Sequence, residues 1–397
     1  MSVAWPLVPL GEVLKQVSRS EKVDPTKEYR LLGVRLDGQG PFLRETKLGS
    51  QSSAAQLYQV QNGDFIYSRL FAWRGAFGVI GSTLDGCYVS NEFPTFLPHP
   101  DKANVEFLRL WFQLPTTLST VEADCTGSTP LTRNRFKESF FLKLKILLPS
   151  LTEQRRIVSR IEELAAKIVE ARGLRRQAIA EAEALSRSAV EAVYQGLAAR
   201  FGQSTLSDTC TSITDGDHNT PQFSDSGIKF IFVGNVSSGK LHFNNSKKVA
   251  EAYFNSLKPH RVPERGDILY SAVGATLGIA TVVDTDEPFC FQRHIAILKP
   301  NRKIVESRYV WHMLNSQTVF EKTWSSTTGT AQPTVPLRAI RELPLPLPTI
   351  SEQRQIVSYL DDLLAKVYEL KRLQTETAAE LDAMLPSILD KAFKGEL

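Results

Sequence analysis

Two stretches of this chain repeat apolar or small residues at alternating steps of four and three. In the first they are Ile157, Ile161, Leu164, Ile168 and Ala171, then Ala178, Ala182, Leu185 and Ala189. In the second they are Ile356, Leu360, Leu363, Val367 and Leu370, then Thr377, Leu381, Met384 and Ile388. This is a heptad seam, and it predicts two long helices that each bury one stripe against a partner helix. The seam is alanine-rich in the first stretch and built of larger residues in the second, so the faces can interdigitate. An antiparallel pair is expected. Both stretches place a polar residue at the same seam position, Arg175 and Gln374, which fixes register at some cost in stability. Each opens with Ser or Thr and a glutamate at capping-box spacing, Ser150 with Glu153 and Thr349 with Glu352, just after Pro149 and Pro348. Gly196 and Gly395 stand where a helix C-terminal glycine belongs, and Pro386 is expected to kink or stop the second helix early. Some 35–45 helical residues make a rod of roughly 50–70 Å, long enough to hold two domains a defined distance apart.

The two stretches are copies of one another. Residues 148–167 read LPSLTEQRRIVSRIEELAAK and residues 347–366 read LPTISEQRQIVSYLDDLLAK, an offset of 199 residues with 11 of the 20 positions identical. The register runs on without a gap to Tyr194-Gln195-Gly196 against Phe393-Lys394-Gly395. The chain is therefore two half-chains, each ending in the same kind of segment. The parts ahead of these segments show short strand-like runs, such as residues 65–67, 77–80, 229–233 and 295–298, punctuated by glycine. A weaker repeat links Asn62-Gly63-Asp64-Phe65-Ile66-Tyr67-Ser68 to Arg265-Gly266-Asp267-Ile268-Leu269-Tyr270-Ser271. In both, Gly-Asp reads as a turn into a strand. Another links Thr126-Gly127-Ser128-Thr129 to Thr328-Gly329-Thr330. The expected architecture is α+β: two similar mixed domains, 1–147 and 201–346, separated by antiparallel coiled-coil helices in 148–200 and 347–397. The two domains should share a fold while differing in surface.

Composition narrows the class only modestly. With 397 residues, 42% hydrophobic and 23% charged, the chain is long enough for two or more globular domains. No run of about 18 apolar residues suggests a membrane span, and the first residues do not resemble a signal peptide. The four cysteines, Cys87, Cys125, Cys210 and Cys290, form no CxxC pair and suit a reducing, cytoplasmic setting without a zinc site. The net charge of +4 is small, but its distribution is informative. Both large segments are mildly basic, at +3 and +2, while the helical segments carry +2 and −3 and should attract one another.

Several motifs resemble known sites without completing them. Gly234 to Lys240 matches G-x4-G-K, yet Leu241 stands where a phosphate-binding loop needs Ser or Thr, and the next residues do not open a helix. Asp215-Gly216-Asp217-His218-Asn219-Thr220 begins like a calcium loop, but Thr220 and Ser226 replace the required Gly and Glu. Its short polar side chains suit backbone capping or contact with base edges. No HExxH, Gly-x-Ser-x-Gly elbow, Asn/Asp-Pro-Pro-aromatic motif or nuclease-like cluster is present. With the duplicated layout, this predicts a chain that is not an enzyme by itself and holds no cofactor or metal.

The doubled Pro-x-x-x-Glu-Gln-Arg-x-Ile-Val, each copy following a divergent domain of about 150 residues, resembles the helical regions of specificity subunits of type I restriction–modification systems. The Gly-Asp-Ile-Leu-Tyr-Ser run and residues 214–221, TDGDHNTP, are similar to the target-recognition domains of that family; the first domain has no counterpart of the latter. The resemblance covers essentially the whole chain. It implies that each domain reads one half of a bipartite double-stranded DNA target and that the helices set the unread spacer. It also implies docking of two copies of an adenine methyltransferase subunit and of a motor–endonuclease subunit. S-adenosylmethionine, ATP and magnesium would belong to those partners. A methylation-only or differently organised restriction system stays open, as does a coiled-coil scaffold whose domains bind proteins.

Arginine to guanine and Asn or Gln to adenine are the usual base readers, while Lys, Ser and Thr mostly hold phosphates. In the first domain the candidates are Arg69 and Arg74, which flank Phe71 and Trp73 in a glycine-bounded stretch, with Asn91, Arg133 and Arg135. In the second they are Asp217, His218, Asn219, Gln292, Arg293, Thr328 and Gln332. Phe71 and Trp73 are expected to pack in the core rather than to stack on a nucleotide. Arg155, Arg156 and Arg354 are either methyltransferase contacts or solvated charges.

Overall fold

The two Gly-Asp turns fold alike. Gly63 and Gly266 take φ of +86° and +88°, a region that favours glycine. The carboxylates that follow accept from the backbone three residues back: Gln61 N to Asp64 Oδ2 and Glu264 N to Asp267 Oδ2, both 2.8 Å. Each turn feeds a buried strand, Phe65–Tyr67 or Ile268–Ser271. Both carboxylates are buried, and each is met by a cation from elsewhere. Arg19 reaches Asp64 at 2.6 and 3.1 Å, and Lys299 reaches Asp267 at 2.7 Å. Burial still raises the Asp267 carboxyl above its ordinary range.

In the computed structural model, residues 5–126, 135–202, 204–218, 221–329 and 332–397 are described. They form two units, Met1–Leu174 with Glu376–Leu397, and Arg175–Thr375. The first unit holds an antiparallel sheet in the spatial order Leu14–Val17, Thr95–Pro98, Phe65–Tyr67, Phe77–Val79. The second repeats it as Cys210–Asp215, Ile295–Pro300, Ile268–Ser271, Ala280–Val282. A two-stranded ribbon also recurs, Leu7–Pro9 with Lys145–Leu147 and Ser204–Thr205 with Pro344–Leu345. Each unit adds another sheet containing one parallel pair, Leu31 opposite Tyr88 and Phe230 opposite Cys290. These added sheets diverge. The first is extended by the hairpin of Glu28–Val34 and Pro41–Leu48, and the second by Lys247–Val249 and Phe223–Ser224. The expected shared fold is present, and the divergence sits outside the common sheet.

The long helices are part of each unit's core. In the first, Ile157, Ile161, Leu389, Ala392 and Phe393 join the cluster built on Phe65, Tyr67 and Phe107, with the Phe107 and Phe393 rings 4.8 Å apart. In the second, Val190, Tyr194, Leu197 and Leu360 join Tyr270, Tyr309 and Met313. Within each unit the helices run antiparallel. Arg156 Nη2 donates to the Leu397 carbonyl at 2.7 Å and Arg172 meets Asp382 at 2.6 Å, so positions rise on one helix as they fall on the other. In the second unit Lys371 pairs with Glu183, and Arg200 with Glu352 at 3.1 Å.

Four local expectations are corrected. The first helix spans Leu151–Phe201, passing through Gly196 and stopping at Gly202 with φ +70°. Gly395, at φ +76°, does end the last helix. Pro386 lies inside the helix Ala378–Phe393, and the break comes earlier, at Thr377, after the helix Ile350–Glu376. Leu185 and Met384, which occupy the same repeat position, are 61% and 49% exposed. The inward-facing stripe continues one residue later, at buried Ser186 and half-buried Leu385. A straight helix drifts about 20° per heptad against a 3.5-residue repeat, so an extrapolated seam walks off the buried face. The capping box is reciprocal at Thr349 and Glu352, whereas at Ser150 only the hydroxyl accepts, because Glu153 turns to Arg156.

The repeated Glu-Gln-Arg owes its glutamine to the fold. Gln154 is fully buried: its amide donates to the Lys102 and Pro149 carbonyls at 2.9 Å each, and its oxygen accepts from Asn104 N at 2.8 Å. Gln353 does the same to Ile304 and Pro348, at 3.0 and 2.8 Å, and accepts from Glu306 N at 2.8 Å. One side chain thus ties each helix start to the entry of the helix pair that closes its domain.

The second unit carries a further tie, with no counterpart among the described residues of the first. Asp361 on the long helix takes Arg308 Nε at 2.9 Å and His312 Nε2 at 2.7 Å. Burial holds His312 down at about 4, against the pull of Asp361. In the unfolded chain its imidazole titrates near 6.5, so between pH 6.5 and 4 the unfolded state binds the extra proton. Stability is therefore present at neutral pH and lost as the pH falls through that window. Between pH 7 and pH 5 the loss should be about 2 kcal/mol. Urea unfolding of wild type and His312→Leu at both pH values checks this, and the variant should lack that component.

Candidate nucleic-acid interface

In both units the strand after the Gly-Asp turn ends at a junction of three loops. In the first, Arg69 N donates to the Glu92 carbonyl at 2.9 Å, and the Arg69 carbonyl accepts from Phe136 N at 2.9 Å. Arg135 and Thr126 exchange backbone bonds at 3.0 Å, closing a hairpin against the same place. In the second, Ala272 N donates to the His294 carbonyl at 3.0 Å, and the Ala272 carbonyl accepts from Val335 N at 2.9 Å. Thr328 and Thr334 close the matching hairpin at 2.9 and 3.0 Å, and Gly274 N reaches the Pro333 carbonyl at 2.9 Å. The framework is the same, and the side chains on it differ.

The first unit brings Arg69, Asn91 and Arg135 together. Arg69 is committed to the structure: its guanidinium grips Glu138, with Nε at 3.1 Å from Oε1, and also donates to the Asn91 carbonyl. Arg135 pairs with Glu92 at 2.7 Å but leaves about half of its side chain in solvent. The other oxygen of Glu92 is buried without a partner among the described residues. Arg74 stands on a separate short bend, Ala72–Arg74, stitched to a neighbouring loop by Asp37 N to the Arg74 carbonyl and Gly38 N to the Gly75 carbonyl, both 2.9 Å. It is exposed, its guanidinium lies 5.9 Å from the Trp73 ring centre, and it makes no ion pair among the described residues. Phe71 is 43% exposed, which overturns its expected place in the core. Trp73 is half-buried and donates to the Leu70 carbonyl at 3.1 Å. Arg133 lies outside the described residues.

In the second unit Asp217, Gln292, Arg293, Thr328 and Gln332 gather on neighbouring segments. Asp217 bridges Gln292 through the backbone. Gly216 makes this approach possible, since a Cβ there would meet the Phe291 carbonyl oxygen at 2.4 Å. Arg261 sits between two carboxylates, with Nη1 at 3.2 Å from Asp217 and Nη2 at 3.6 Å from Asp215. Asp217 also accepts from the Tyr253 hydroxyl at 3.4 Å, and Asp215 holds His218 Nε2 at 3.1 Å. Thus Asp217 is engaged and His218 is 62% exposed. Arg293, Thr328 and Gln332 are exposed, and Arg293 makes no ion pair among the described residues. Asn219 lies outside them. Arg261, Tyr253, Glu92 and Glu138 went unnoticed in the sequence. The signal for Arg261 was the Asp-Gly-Asp pair, which needs a nearby cation.

Elsewhere the sequence motifs have structural uses. Asn235, inside the G-x4-G-K run, accepts from Phe232 N and donates to the His242 and Asn244 carbonyls, at 2.9, 3.0 and 2.7 Å. Arg156 and Arg354 pair with Glu153 and Glu306.

Two domains of one fold, each seated on its own antiparallel helices and presenting divergent loops from a shared framework, define a tandem recognition protein. Residues 3–178 and 203–380 each match the type I restriction modification DNA specificity domain, and the chain belongs to that family. It is 30% identical over 173 residues to the type I restriction enzyme EcoBI specificity subunit of Escherichia coli, covering 43% of this chain and 36% of that protein. To the MjaVIII specificity subunit of Methanocaldococcus jannaschii it is 22% identical over 172 residues, covering 42% and 40%. The match thus spans well under half the length of these relatives. The crystal structure of the HsdS subunit from Thermoanaerobacter tengcongensis aligns with 99% of this chain and 97% of its own, at 25% identity and a TM-score of 0.67. A chain from a structural study of complex assembly in the type I R-M system shares the fold at TM-score 0.72 and 24% identity, over 99% and 98% of the two chains. Among the described residues no helix is long and apolar enough to cross a membrane.

Proposed function

We propose that this chain is the non-catalytic, cytoplasmic DNA-reading subunit of a type I restriction–modification complex, with one half of a bipartite target read by each domain. The observation that carries this reading is the duplicated loop junction: one backbone framework, two unrelated sets of side chains. A duplicated reader with divergent loops suits an asymmetric target, which a homodimer of one reader cannot specify. Arg74, Asn91, Arg133 and Arg135 meet DNA from the first unit, and His218, Asn219, Arg293, Thr328 and Gln332 from the second. Arg69, Asp217 and Gln292 act on the same DNA by placing those neighbours. The helical segments set the unread gap and dock two copies of an adenine methyltransferase subunit, beside a motor–endonuclease subunit. S-adenosylmethionine, ATP and magnesium are bound by those partners.

The test is to express the chain with its methyltransferase subunit in a host lacking other adenine methyltransferases and to map methylated adenines. A split motif with a fixed unspecified gap is expected, and exchanging residues 201–346 for those of a relative should change one half only. A competent complex that leaves no motif would overturn the reading. Affinity for the target should also fall steeply with salt, since phosphate contacts release counterions.

A further inference from the structure

A cavity of about 520 Å³ in the second unit is lined by none of the loop-junction residues named above. Its floor and walls come from the long helices, at Ser186, Val190 and Leu364, and from the domain, at Leu277, Trp311 and Phe320. The serine–glycine loop Ser237-Ser238-Gly239, left over from the G-x4-G-K run, forms another side. The volume suits a ligand of one or two rings.

Two features give the cavity a chemistry. Aromatic faces are left open around it: Phe320 is 45% and Tyr368 48% exposed, and both line the same cavity. Arg187 lines the cavity and Lys240 follows its Ser237-Ser238-Gly239 side; neither has an ion-pair partner among the described residues, and the Lys240 ammonium lies 4.6 Å from the Tyr368 ring centre. The nearby carboxylate of Asp361 is already taken by Arg308 and His312.

The first unit does not repeat these features. In the helical register of 199, Ser186 and Tyr368 correspond to Leu385 and Val169. In the register set by Asn104 and Glu306, His312 and Trp311 correspond to Leu110 and Arg109. A surface serving two copies of one partner would be kept in both halves. This one is kept in one.

We propose that the cavity binds one small aromatic anion per chain, its ring between Trp311, Phe320 and Tyr368 and its charge at Arg187 and Lys240. Such a ligand touches both the helices and the domain of the second unit and would bind them more firmly together. The site is independent of DNA reading.

The test titrates the full chain with 1-anilinonaphthalene-8-sulfonate and with its uncharged counterpart, N-phenyl-1-naphthylamine, following fluorescence. One saturable site is expected, at least tenfold tighter for the sulfonate. Arg187→Gln with Lys240→Gln should remove that preference, and Ser186→Leu with Tyr368→Val, the residues of the first unit, should abolish binding. Equal affinity for both probes would overturn the proposal, and so would sulfonate binding unchanged in the filled variant. If the filled variant does not fold, the charge variant decides alone: a preference that survives it overturns the proposal.

Discussion

Replacing Gln353 by leucine should destabilise the second unit by about 3–5 kcal/mol, and Gln154→Leu should do the same to the first. Leucine fits the space roughly but offers no polar atom. Glu306 N and the carbonyls of Ile304 and Pro348 then lose their shared partner, a side chain that is itself fully buried. Each orphaned buried group costs about 1–3 kcal/mol, and a carbonyl's second lone pair moderates the total toward the lower part of the sum. The measurement is the urea midpoint of each variant against Ser358→Ala, an exposed position on the same helix, which should stay within about 0.5 kcal/mol of wild type. If Gln353→Leu unfolds with the control, the glutamine is not what holds helix and domain together. The prediction also explains why the Glu-Gln-Arg run survives in both half-chains while the domains diverge. The glutamine bonds only backbone, so it constrains geometry without constraining the neighbouring side chains.

What the sequence made legible was whatever repeats or has a period. The helical stripes, their start points and the Gly-Asp turns recur between halves, and the structure finds each in the same role; of the Thr-Gly repeat, residues 127–129 and 330 lie outside the described residues. Extrapolating a strict seven-residue seam failed at Leu185 and Met384 together, because both sit at the same distance from the start and suffer the same helical drift. Contacts between residues distant in sequence were not legible. Nothing local links Arg19 to Asp64, Lys299 to Asp267, or Arg261 to Asp217, pairs 45, 32 and 44 residues apart. For the candidate site this matters in a particular way. Arg69 and Asp217 have the chemistry of base readers, yet Glu138 and Arg261 occupy them. Arg74 and Arg293 make no ion pair among the described residues, while Arg135 and His218 pair with Glu92 and Asp215 and still leave about half or more of their side chains in solvent. Residue type picks out the candidate loops, and the ion pairs decide how far each side chain on them is free.

Arg261→Met should therefore blur the half-site read by the second domain and leave the other half intact. The arginine fork neutralises Asp215 and Asp217, which flank a glycine pressed against the backbone of residues 291–292 and so cannot move apart without breaking that contact. Methionine keeps much of the bulk but leaves two like charges on a tight turn, only partly reached by water. Relief requires the turn to leave Gln292, which displaces His218 from Asp215 and carries Arg293 with the strand end. The expected loss is about tenfold or more in discrimination at that half-site, one or two kcal/mol of base-contact energy. Lysine should not rescue, since a single ammonium cannot span two carboxylates as a planar fork does. Asp215→Asn with Asp217→Asn in the Arg261→Met background should recover part of the effect, because the repulsion goes with the charges while the amides keep the shape. Binding of the methyltransferase-bound chain to duplexes altered in one half-site at a time reads all three variants. Equal loss at both half-sites would mean general unfolding, and no loss at either would show that the loop carrying His218 takes no part in recognition. Loss confined to one half places the reading head of the second domain at this turn, with Arg261 holding it from behind.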